Sequence, residues 1–232
     1  FVRHPGVFAE RTPDRAAVIM AGTGKVLTFG QFEALSNQCA HLLWEAGLRR
    51  GDVLAGLMEN NLNYTALAWG GLRAGLRLTA IATHLTSAEV DYILDDSGAA
   101  ALITSAAMAA TAEALRPALL SAQSRFSLGA AISGFQNLDD ALREQPATPI
   151  ADQYEGVEML YSSGTTGRPK GVRKALPDLP FGSPPIGHRR AMELYGLNED
   201  TVYLSPAPLY HAAPLGSNLR TLRAGGCTGV ME

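Results

Sequence analysis

Short apolar runs alternate with helical segments that carry their own start and stop signals, and this alternation constrains the fold more than any other feature of the chain. Thr28-Phe29-Gly30-Gln31 has the form of a capping box, in which the Thr hydroxyl and the Gln amide each satisfy a free backbone N–H at a helix start. Phe29, Phe32, Leu35, Cys39, Leu42, Leu43 and Ala46 follow at helical spacing, and Gly47 can take the left-handed conformation that ends a helix. A second box, Thr86-Ser87-Ala88-Glu89, predicts a helix to about Asp95. A helix over 62–74 ends at Gly75, and another follows in the Ala-rich stretch after 104. Between them, 53–57, 76–81 and 99–104 read as strands, while 17–20 and 25–27 flank a hairpin turn at Ala21-Gly22-Thr23-Gly24. The pattern predicts an α/β fold with strand–helix alternation and mostly parallel sheets flanked by helices.

Composition removes several function classes. With 47% hydrophobic residues and a net charge of -3, the 232-residue chain is too apolar and too weakly charged to stay disordered. It has no basic tract, so no nucleic-acid partner is expected. Apolar stretches such as 99–103 fall far short of the ~20 residues that span a bilayer, which leaves peripheral membrane contact open. No charged and then apolar leader opens the chain, and Cys39 and Cys227 are its only cysteines. A reducing, cytoplasmic setting is the expectation.

Pro146, Pro149 and the polar residues to Gly156 suggest a junction between a first α/β portion, 1–150, and a second portion, 151–232. The second portion opens with a strand at 157–161. Its four prolines at 177, 180, 184 and 185 predict a loop, followed by a helix near 189–195, a strand near 202–204 and a helix from about Leu209.

Between strand and loop stands Ser162-Ser163-Gly164-Thr165-Thr166-Gly167-Arg168-Pro169-Lys170-Gly171. Gly and Ser alone would suit a flexible linker. Yet glycines also let successive N–H groups converge on an anion, hydroxyls add donors, and Lys170 adds a cation. Arg fills 16 of the 19 basic positions, so a Lys there runs against the compositional trend. The segment has the parts of a polyphosphate cradle. It is not a Walker A loop, because Pro169 stands where the second Gly belongs and Gly171 replaces the metal-binding hydroxyl. Neither a dinucleotide-binding glycine fingerprint nor a nucleophile elbow occurs.

The segment resembles the signature phosphate loop of the adenylate-forming ligases, which include acyl-CoA synthetases, firefly luciferase and the adenylation domains of nonribosomal peptide synthetases. Weaker motifs stand in the same order around it. Leu27-Thr28-Phe29 resembles an early motif, and Leu72-Arg73-Ala74-Gly75 a second, with Ala80 and Ala82 in place of the usual Pro and Asn. Pro208-Leu209-Tyr210-His211-Ala212-Ala213 resembles the motif that lines the acid pocket. The wording is nearest to bacterial fatty acyl-CoA synthetases.

The resemblance implies an incomplete large N-terminal domain of that ligase fold, with the C-terminal domain absent. It implies an enzyme that uses ATP, Mg²⁺ and coenzyme A to convert a carboxylic acid to an acyl-adenylate and then a thioester. Ser162, Ser163, Gly164, Thr165, Thr166, Gly167 and Lys170 would hold the phosphates, with Thr166, Lys170 and His211 as the catalytic set. Tyr210, His211 and Ala212 would line the acyl pocket. Leu209, Ala213 and Leu215 add small or apolar side chains that suit a fatty or aryl acid better than an amino acid. The family's later Glu, ribose-binding Asp and distal Lys lie outside this sequence, so these 232 residues alone are expected not to form acyl-adenylate.

Two other readings stay open: a nucleotide- or phosphate-binding fragment without turnover, and an ATPase or kinase with an unusual loop. An amino-acid adenylation domain is the alternative within the family. The five histidines show no metal-ligand spacing, so no metal site is expected. Arg49-Arg50, Arg189-Arg190, Asp95-Asp96 and Asp139-Asp140 read as solvated charges, and Lys25 and Lys174 as surface lysines.

Overall fold

The computed structural model describes residues 3–162 and 169–232. It opens with α1 (Pro5–Arg11), β1 (Ala16–Met20) and β2 (Val26–Thr28), followed by α2 (Phe29–Glu45), β3 (Val53–Leu57), α3 (Tyr64–Arg73), β4 (Arg77–Ala80) and α4 (Ser87–Ser97). Then come β5 (Ala99–Ser105), α5 (Ala109–Glu113), β6 (Arg125–Leu128), β7 (Gln136–Asn137) and α6 (Leu138–Arg143). The last part holds β8 (Val157–Glu158), β9 (Leu160–Ser162), β10 (Lys170–Val172), α7 (Ile186–Leu194), β11 (Val202–Ser205), α8 (Ala212–Arg223) and β12 (Cys227–Val230).

Six strands form a parallel sheet in the order β7-β6-β5-β3-β4-β8. Four more form a second sheet, β11-β12-β1-β2, in which β12 runs parallel to both neighbours. The antiparallel β9–β10 ribbon makes a third. Strand–helix alternation thus yields parallel sheets, as the sequence predicts. The run from Val157 onward serves both sheets: β8 extends the first, while β11 and β12 build the second around β1.

Both capping boxes form. Thr28 Oγ1 accepts from the Gln31 N–H, and Thr86 Oγ1 from the Glu89 N–H, while each Gln or Glu side chain returns to the cap backbone. Behind α2, helix α3 is buried along its whole length. Their close approach demands Gly70, since a Cβ there would lie 2.5 Å from the Cys39 Cβ.

Several expectations need correction. The Ala-rich stretch gives only the five-residue α5 after a 3-10 turn, because alanines alone offer little apolar surface to dock. The strand expected at 157–161 divides between β8, which pairs with β4, and β9, which pairs with β10, and the Thr79 hydroxyl donates to the Met159 carbonyl between them at 3.0 Å. The last helix starts at Ala212, after a turn in which the His211 N–H donates to the Pro208 carbonyl at 3.1 Å.

Candidate nucleotide and acid site

Ser162 and Lys170 stand directly opposite each other across the β9–β10 ribbon, and both are exposed. Their neighbours Tyr161 and Gly171 form the next pair. Side chains alternate along strands, so Ser162 and Lys170 share one face while Tyr161 occupies the other. The predicted phosphate ligands Ser163, Gly164, Thr165, Thr166 and Gly167 lie outside the described residues.

The root of the ribbon is tied to β4 and α4. Met159 N–H donates to the Leu78 carbonyl at 2.8 Å, and Arg77 Nη1 to the Lys174 carbonyl at 2.5 Å. Tyr161 Oη donates to Asp96 Oδ2 at 2.6 Å, and Arg173 Nη2 to the Ser97 carbonyl at 3.0 Å. Burial and then the hydrogen bond to Asp96 raise the Tyr161 phenol above its ordinary value, so it stays a donor. Asp96 is therefore an anchor as well as a solvated charge. Lys174 is more than a surface lysine: its Nζ lies 3.8 Å from Glu158 Oε2, and His188 Nε2 is 3.4 Å from Oε1. Burial alone would raise the Glu158 carboxyl, but His188, the residue's own backbone N–H and Lys174 hold it down to about 2.

His211 is the N-cap residue of α8, exposed, with its ring centroid 4.6 Å from that of Tyr210. Tyr210 in turn meets the edge of His84 at 6.0 Å, so a residue just past β4 joins the predicted pair. Ala212 and Ala213 are exposed beside them. Leu209 and Leu215 are both fully buried in the main core, where they anchor the turn. The sequence also gave no warning of Asn60. Its Oδ1 accepts from the Leu209 N–H at 2.8 Å, while Nδ2 donates to the carbonyls of Met231 at 2.8 Å and Ala207 at 3.4 Å. One amide side chain thus holds the backbone leading into His211.

β8 and β4 run parallel, so the ribbon emerges past their carboxyl ends, and His84 follows the carboxyl end of β4. In open α/β sheets the crevice at that edge is where ligands bind. The Ser162–Lys170 pair and the His84–Tyr210–His211 group both reach this edge, one from the ribbon and one through the second sheet's α8. Among the described residues, no group of three or more His, Cys, Asp or Glu side chains could hold a metal ion.

Comparison with known proteins identifies the family and the fold. The family model described as AMP-binding enzyme matches residues 7–232. A long-chain-fatty-acid–CoA ligase of Mycobacterium tuberculosis, FadD13, is 32% identical over 161 residues, covering 69% of this chain and 32% of the relative. The chain therefore spans about a third of that relative's length. A putative long-chain-fatty-acid CoA ligase from Rhodopseudomonas palustris shares the fold, with a TM-score of 0.83 at 22% identity over 98% of this chain and 56% of the other. The anthranilate CoA ligase AuaEII, solved with anthranoyl-AMP, superposes at a TM-score of 0.82 with 25% identity over 100% of this chain and 45% of its own.

Proposed function

The chain belongs to the AMP-binding enzyme family, and on that premise we propose that the full-length protein activates a carboxylic acid, preferably a fatty acid, as its adenylate and passes the acyl group to coenzyme A. The observation that carries this reading is the opposition of Ser162 and Lys170, which places a hydroxyl and a cation on one face at the two ends of the signature segment. Similarity to FadD13, a fatty acid ligase, and to AuaEII, crystallised with an acyl-adenylate, supports the reaction class and favours an acid substrate.

In the first half-reaction the acid carboxylate attacks the α-phosphate of ATP, the bond to the β-phosphate breaks, and pyrophosphate leaves. In the second, the thiol of coenzyme A attacks the acyl carbon, and AMP leaves. Little covalent work falls to the protein in such displacements, so positioning and charge neutralisation dominate. Ser162, Ser163, Thr165 and Thr166, with the amides of Gly164 and Gly167, would bind the β- and γ-phosphates, and Lys170 would offset their growing charge. His211, with Tyr210 and Ala212 beside it, would orient the acid. Mg²⁺ bound with the nucleotide would share the charge neutralisation.

The test is acid-dependent exchange of pyrophosphate into ATP by the full-length protein, across fatty, aryl and amino acids. Fatty acids should support the fastest exchange, with AMP as product. Lys170→Ala and Thr166→Ala should each lower the rate by about 100-fold. Release of ADP, or unchanged rates in both variants, would overturn the proposal.

A further inference from the structure

The β9–β10 ribbon is too small to hold its own shape, since an isolated two-stranded ribbon is marginal in water. Its position must be imposed from outside. Two side chains impose it from the face opposite Ser162 and Lys170, and both reach the last turn of α4. Tyr161 Oη donates to Asp96 at 2.6 Å, and Arg173 Nη2 donates to the Ser97 carbonyl at 3.0 Å. Helix α4 is itself a firm base. It is capped by Thr86 and Glu89, and Val90, Ile93 and Leu94 are buried in a cluster against which Tyr161 also packs.

Gly171 reports the same constraint from across the ribbon. A Cβ at that position would stand 2.8 Å from Tyr161 Cζ, 3.0 Å from its Oη and 3.1 Å from Met159 Cε. The tyrosine ring therefore lies against the backbone of its cross-strand partner, and a side chain at 171 would have to displace it. Ring, glycine and helix end together set the height and tilt of the two strands.

We propose that Tyr161 is a positioning residue that, through Asp96 and with Arg173 as a second tie, locks the ribbon to α4 and so fixes Ser162 and Lys170 where they meet the nucleotide. The inference rests on the nucleotide-activating role proposed above. It adds a residue that touches no reacting atom but sets the geometry of those that do. A displacement near 1 Å can cost on the order of 100-fold in rate, so such a tie has leverage.

The experiment uses the full-length protein with Tyr161→Phe, Asp96→Ala and Asp96→Asn. Hydrogen exchange of the peptide 157–174 reads the tie directly, and calorimetry reads MgATP affinity. Tyr161→Phe and Asp96→Ala should speed exchange in this peptide, with the rest of the chain unchanged, and weaken MgATP about tenfold. Asp96→Asn keeps an acceptor and should recover most of both. In pyrophosphate exchange, the KM for ATP should rise while the KM for acid stays within about twofold. Wild-type exchange in the peptide overturns the tie. Faster exchange with unchanged MgATP affinity overturns the positioning role. A wild-type protein that binds MgATP but shows no acid-dependent pyrophosphate exchange sinks only the ligase reading, because the affinity ratio still decides the tie. One that binds no MgATP sinks both.

Discussion

The start of α8 and the β9–β10 ribbon face the same sheet edge but are held there by different means. α8 is a core element: Leu215, Leu219 and Leu222 are buried, and Asn218 Nδ2 donates to Ser205 Oγ at 2.9 Å. At its far end Arg223 pairs with Glu155, both nearly inaccessible, and the guanidinium also donates to the Arg3 carbonyl at 3.0 Å and lies 4.6 Å from the Trp69 ring. The ribbon buries little, and its ties are individual hydrogen bonds to α4 and β4. His211, which under the proposed function orients the acid, stands at the start of a packed helix. The strands that flank the proposed phosphate-binding segment are fixed instead by a few polar contacts. Rigidity is supplied by apolar burial in one region and by polar geometry in the other.

The largest expected effect strikes the first region. Arg223→Met leaves the Glu155 carboxylate buried without its partner and should cost about 3–5 kcal/mol in urea unfolding. MgATP affinity of the folded protein should change far less, and equal losses in both would erase the distinction between the regions. Asn60→Ala comes next. It frees the Leu209 N–H and two carbonyls, and should cost about 2 kcal/mol while raising the KM for acid more than that for ATP.

The smallest effect at neutral pH is the acid response, and it separates the regions by window. His4 packs against Phe181 in the α1 and α8 neighbourhood, and burial, followed by the charges of Arg73 and Arg223, lowers its pKa to about 4. The unfolded chain takes up this proton first, so stability from His4 falls as pH drops from about 6.5 toward 4. Glu158, at the ribbon root, is lowered to about 2, so its contribution falls between about pH 4.5 and 2. Comparing wild type with His4→Phe and Glu158→Gln across pH isolates each window. Coincident windows would mean that the two regions share one electrostatic environment.

Helices α2 and α4 were legible in the sequence because their signals are local. Thr28 with Gln31 and Thr86 with Glu89 mark helix starts within four residues, and the apolar spacing of α2 names the face it buries. Short elements were not legible: α1, β6, β7 and α6 have only two to seven residues each, and their stability comes from partners distant in sequence. The same holds at the site. Ser162, Lys170 and His211 stand in recognisable strings, whereas Asn60, Asp96 and His84 matter only through contacts spanning 149, 65 and more than 100 residues. Asp96 reads as a solvated charge until the fold brings Tyr161 to it.

The pairing of β1 with β12 has a consequence for how the chain comes off the ribosome. Val18 lies beside Thr228, and Gly22 bonds the side chain of Glu232, 210 residues away. At roughly 5–20 residues per second, the β1–β2 hairpin waits about 10–40 s for the strand that covers its edge. The strands of the six-stranded sheet are all synthesised within that interval. The second sheet therefore closes late, and Val18, Ile19 and Met20 present an unpaired apolar edge while it does. Any chaperone dependence of this protein should concentrate on that early strand.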